Sequence, residues 1–109
     1  MKKISNDDFY ALCDFIEDSV RNRYSPKKDS KLGILTELIN CWGMYIPYVE
    51  KILVSPDGTF EEAAWVYLHE VGHWGIRRLG LTPADEEQVC NDVAFIVQKR
   101  LGLTLYRVA

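Results

Sequence analysis

His69-Glu70-Val71-Gly72-His73 spells His-Glu-x-x-His within a stretch whose apolar residues recur at helical spacing. Residues four apart on a helix lie one turn apart on the same face, so both imidazoles can reach one ion at the ~2.0–2.1 Å of zinc–nitrogen bonds. Glu70 is rotated away from that pair and can contact a water on the ion without filling the coordination site. These are the chain's 2 histidines, so no other place can supply a bis-imidazole metal site.

A catalytic zinc needs three protein ligands and an open position, and two histidines with one glutamate are a known solution. Downstream, Glu87 and Asn91 are again four apart, beside an apolar stripe of Val89, Val93, Ile96, Val97 and Leu101 that would pack their helix inward. Glu87 can complete the ligand set, with Glu86 and Asp85 as rivals. Asn91 can accept the remaining N–H of a ligand imidazole and fix its tautomer. Gly72 and Gly75 each cost roughly 1 kcal/mol against alanine in a helix interior, which suggests close approach of another backbone, for which the downstream helix is the candidate.

The elements that must hold these residues can be read in order. Ser5 with Asp8 caps a first helix near residues 6 to 22, and Leu32, Leu35, Leu38, Ile39 and Trp42 mark a second, stopping near Gly43. Residues 44 to 55 are β-prone, broken by Pro47 and closed by Pro56-Asp57-Gly58, which predicts one or two short strands at a sheet edge. Thr59 and Glu62 form a capping box for a third helix, stopped at Gly80, that carries the histidines. Thr82-Pro83-Ala84-Asp85 opens a fourth, ending at Lys99-Arg100-Leu101-Gly102, with the cap and a proline at the first helical position. Leu103 to Val108 read as a last short strand. The resulting expectation is a single α+β domain over residues 1–109, mostly helical with a short edge sheet, the histidine motif on the third helix and the third ligand on the fourth.

The composition fits that picture. The chain has 109 residues, 48% of them hydrophobic and 27% charged, enough for one core and little more. The net charge is −3 and the basic residues are scattered, which argues against nucleic acid. No stretch approaches membrane-spanning length, and the expectation is a cytoplasmic protein. Cys13, Cys41 and Cys90 are odd in number and far apart, and read as buried reduced thiols. Trp42, Tyr45, Tyr48, Trp65, Tyr67 and Trp74 read as core filling rather than as the lining of a groove.

The zinc helix, with Trp65 to Leu68 ahead of its motif, and Glu87-x-x-Cys90-Asn91-x-Val93-Ala94 after it, resembles the gluzincin peptidases of the ImmA/IrrE type, in which a Glu-x-x-Ala-Asn-x-Phe-Ala helix follows the zinc helix. The resemblance covers residues 60 to about 100. Small self-contained gluzincins are an equally good comparison, because only residues 74 to 86 separate His73 from Glu87 and no Leu-Met-Pro follows. Metzincins are not, since Ile76 and Leu79 stand where a glycine and a third histidine would be. The resemblance implies a minimal zincin fold, Glu87 as third ligand to Zn2+, and cleavage of a specific protein partner.

The expected function is therefore zinc-dependent peptide-bond hydrolysis of a peptide or protein substrate, with Glu70 as general base. Tyr106, Tyr48 and Arg77 are the candidates for stabilising an oxyanion, and the 49 to 54 segment suits an extended substrate chain. The alternatives are a catalytically weak zinc-binding regulatory or partner-binding module, and a metal-free interaction domain.

Overall fold

Ser5 accepts a hydrogen bond from the backbone N–H of Asp8 at 3.2 Å and so starts helix α1 (Asn6–Arg21), whose first turn carries Asp7 and Asp8 against the positive end of its dipole. Its inward face buries Leu12, Cys13 and Ile16 completely. The computed structural model describes residues 4–28 and 41–102. Most of the helix expected between Leu32 and Gly43, and the strand expected over 103–108, lie outside them. Gly43 does not stop a helix; it opens strand β1 (Gly43–Ile46).

β1 pairs antiparallel with β2 (Lys51–Val54) in the register Gly43 with Val54 through Ile46 with Lys51. Pro47 to Glu50 make the turn, with Glu50 at φ 48°. The two strands differ in what covers them. β2 buries Ile52, Leu53 and Val54, and its far edge is met by Lys27, whose carbonyl accepts from the Ile52 N–H. Among the described residues β1 is the outer strand, and it packs on the histidine helix.

That helix, α2 (Phe60–Leu79), begins with the expected capping box: Thr59 Oγ1 accepts from the Glu62 N–H, and Glu62 Oε1 accepts from the Thr59 N–H at 2.9 Å. It ends at Gly80, whose φ of 66° is the left-handed cap conformation that glycine adopts without strain. The last described helix, α3 (Glu86–Arg100), starts later than the Thr82-Pro83 signal suggests. Asp85 is its N-cap, because its carboxylate captures the Gln88 N–H at 3.1 Å. Pro83 lies in the connection instead of the first turn.

α2 is the central element, packed between α1 on one side and α3 on another, with the hairpin across it. Trp74, 4% exposed, fills the core, stacked on Phe15 and donating to Glu50 Oε1 at 3.1 Å. The other aromatics divide. Tyr67 is tied to Pro26 and Ser25 through its hydroxyl, whereas Trp42 and Tyr48 are exposed. Among the described residues the fold is thus three helices and a two-stranded antiparallel sheet, mixed α and β and mostly helical. None of these helices is long and apolar enough to cross a membrane.

Candidate metal centre

The 3.6-residue period sets His69 and His73 on one face of α2, with ring centroids 5.1 Å apart. One turn earlier, Trp65 stacks on the His69 ring at 5.4 Å and limits its rotation. What brings α3 to this face is Gly72. A Cβ there would lie 3.0 Å from Cys90 Sγ and 3.3 Å from Cys90 Cα, so the two helices touch where any side chain would hold them apart. Gly75 has a different partner from the one its sequence context suggests. A Cβ there would meet Leu12 and Ile16 of α1, since Gly75 sits about 60° around the helix from Gly72, on the side that α1 covers.

Close approach at Gly72 carries the first turn of α3 to the imidazoles. The Glu87 carboxylate reaches both, with Oε1 3.3 Å from His69 Nε2 and Oε2 2.6 Å from His73 Nε2. One ligand atom from each of His69, His73 and Glu87 lies within 4.8 Å of the others. These three are the group among the described residues that could hold a metal ion. Their chemistry fits one: tetrahedral coordination at ~2.0–2.2 Å separates ligand atoms by about 3.3 Å, close to the spacing already present between His69 and Glu87. His69 is buried, His73 half-buried and Glu87 exposed, which leaves one side of the group open.

Glu86 does not join the ligand group. Its Oε2 lies 2.5 Å from His73 Nδ1, on the opposite side of that ring from Glu87, where a carboxylate fixes the ring and its tautomer. Sequence reasoning assigns that orienting task to Asn91 and lists Glu86 as a rival ligand. Adjacent helical residues point about 100° apart, so consecutive glutamates can address the two nitrogens of one imidazole. Asn91 lies close enough to favour the charged form of His69, yet His69 Nδ1 is buried without a hydrogen-bond partner among the described residues. Asp85, the other rival, is occupied in capping α3.

Electrostatics divide the carboxylates. Burial, then the neighbouring His73, lowers the His69 pKa, so the ring is held neutral, the form that ligates metals. Glu70, 8% exposed, is pushed up to about 7 by burial, against which His73 and the Tyr45 backbone N–H act. Gly43 of β1 sits directly over its side chain. Glu70 and His73 face a cavity of about 480 Å³ walled by β1 on one side and by Ile76, Arg77 and the start of α3 on the other. Tyr45 is the residue that sequence patterning gave no reason to place here; only strand pairing brings its N–H to Glu70.

Of the oxyanion candidates, Arg77 lines this cavity, Tyr48 is 99% exposed on the hairpin turn outside it, and Tyr106 lies outside the described residues. The strand bordering the cavity is β1, not the 49 to 54 segment, since β2 is spent between β1 and Lys27.

The chain matches no protein-family model, no curated protein and no solved structure. The functional reading therefore rests on the residues of this site.

Proposed function

We propose that the protein is a zinc-dependent peptidase of gluzincin type, with His69, His73 and Glu87 holding the ion and Glu70 as general base. The observation that carries this reading is the juxtaposition of the His69, His73 and Glu87 group with the buried carboxyl of Glu70, where Glu70, His73 and Glu87 line one cavity. A zinc ion held there would supply Lewis-acid polarisation of a carbonyl and acidify a water toward a pKa of ~7. Glu70, on the same helix as the histidines, would accept a proton on a carboxylate oxygen and return it to the departing amine. Its raised pKa, about 7, suits a group that must both gain and lose a proton near neutrality. Glu86 holds the His73 ring through Nδ1 and leaves Nε2, on the Glu87 side, as the atom that would ligate. β1, the outer strand among the described residues, would offer backbone groups to an extended peptide chain.

Two measurements test the reading together. Wild-type protein supplied with zinc is expected to bind one ion per chain and to hydrolyse members of a peptide library. Glu70→Gln is expected to retain zinc and fold while losing roughly 10²–10⁴-fold in rate, the usual worth of a general acid–base. Zinc binding with no hydrolysis by either protein would favour the second reading, a zinc-holding partner-binding module, for which the small open cavity speaks. A folded wild type that takes up no metal would sink both.

A further inference from the structure

The cavity beside the metal centre contains one cation among its described lining residues, Arg77, and three acids, Glu70, Glu86 and Glu87. The acids are engaged: Glu86 and Glu87 on the imidazoles, Glu70 on the Tyr45 N–H. Arg77 is not. Its neighbour Arg78 lies over the Trp74 ring at 5.8 Å, whereas Arg77 makes no ion pair or hydrogen bond among the described residues. It stands four residues after His73, one turn along the same face, beside the apolar side chains of Ile76, Leu81, Met44 and Pro47. A guanidinium in that setting is a fork of donors aimed at a planar anion.

We infer that Arg77 sets substrate specificity by gripping a carboxylate of the peptide within one or two residues of the bond that is cut. The inference rests on the peptidase reading. The distance follows from helix and strand geometry: one helical turn rises ~5.4 Å, and an extended chain advances ~3.4 Å per residue. An oxyanion role fits Arg77 poorly. Such donors must be fixed in advance, and Arg77 is exposed at the cavity wall with no partner among the described residues to fix it. The carboxylate has two sources, an Asp or Glu side chain or the peptide's own C-terminus.

The test uses zinc-loaded full-length protein and a set of peptides of one parent sequence. Asp, Asn and Lys are walked across the positions flanking the cleavage site, each peptide with a free or an amidated C-terminus. Hydrolysis is followed with the wild type, and binding by fluorescence anisotropy with the non-hydrolysing Glu70→Gln protein. An Asp-over-Asn preference of about tenfold or more in KM and in binding is expected, at one side-chain position or through the free terminus, and the two arms tell which. Arg77→Ala should bring that ratio near one with zinc content unchanged, Arg77→Lys should restore part of it, and Arg77→Glu should turn the preference toward Lys.

Equal binding of Asp and Asn peptides by a wild type that hydrolyses them overturns this inference and leaves the peptidase standing. So does an Arg77→Ala variant that slows every peptide alike through kcat, which would make Arg77 an oxyanion donor. A zinc-loaded protein that neither binds nor cuts any peptide overturns the peptidase reading, and this inference with it.

Discussion

Helix α2 meets its neighbours along two seams that use the same device for different ends. At Gly72 it meets α3 so closely that Cys90 Cα would lie 3.3 Å from an added Cβ, and the contact delivers Glu86 and Glu87 to the histidines. At Gly75 it meets α1, where the nearest atoms are the ends of the Leu12 and Ile16 side chains, and nothing but apolar surface is brought together. One seam positions chemistry; the other supplies burial. The first is set by backbone and cannot yield without moving Glu86 and Glu87, whereas the second can repack locally.

The largest effect separating the two seams should come from the paired glutamates. Glu87→Ala removes a proposed ligand and is expected to weaken zinc binding more than any other change on α3. Glu86→Ala, which frees His73 Nδ1, should cost roughly 10–100-fold in zinc affinity, the usual worth of an orienting partner. Neither should unfold the protein, because both side chains are substantially exposed. Competition titration against a chromophoric chelator gives the ordering. Glu86→Ala proving the more damaging would exchange the two roles.

The glycines come next. Alanine gains ~1 kcal/mol of helix propensity over glycine, and overpacking costs ~1–3 kcal/mol. At Gly75 the neighbours can turn aside, so Gly75→Ala should change stability by no more than about 1 kcal/mol in a urea titration and leave zinc affinity alone. At Gly72 the obstacle includes backbone, so Gly72→Ala should shift α3 and weaken zinc binding by about tenfold even where the net stability loss is only ~1–2 kcal/mol. If the two variants bind zinc alike, the seams are not distinct.

How much of this was legible in the sequence follows from how local each determinant is. The Ser5 cap, the Thr59–Glu62 box and the Gly80 stop each act within one turn, and the structure has all three where the pattern puts them. The spacing of His69 and His73 fixes their common face in the same way. The start of α3 is less local: Thr82-Pro83 and Asp85 are both competent signals, and the aspartate wins because its carboxylate reaches the Gln88 N–H. The division of labour between Glu86 and Glu87, the partner of Gly75 and the Tyr45 N–H on Glu70 all depend on how whole elements dock. Periodicity along one helix carries no information about that.

The smallest effect, and the sharpest for the comparison, lies in the cysteines. Cys13 and Cys90 are both 0% exposed, Cys13 within α1 and Cys90 at the Gly72 seam. Burial pushes the Cys13 thiol up to about 11 and raises Cys90 further, with Glu86 and Glu87 also opposing its thiolate. Half-buried Cys41 should therefore be alkylated first, and the other two only when the fold opens. Zinc held by His69, His73 and Glu87 would take ligands from α2 and α3 but none from α1, so it would disfavour every opening that parts α2 from α3 and leave α1 free to detach. Added zinc should then slow labelling of Cys90 several-fold more than that of Cys13, followed by mass spectrometry of the digested protein. Equal slowing would mean that both thiols are reached only by global unfolding, and that the two seams open as one.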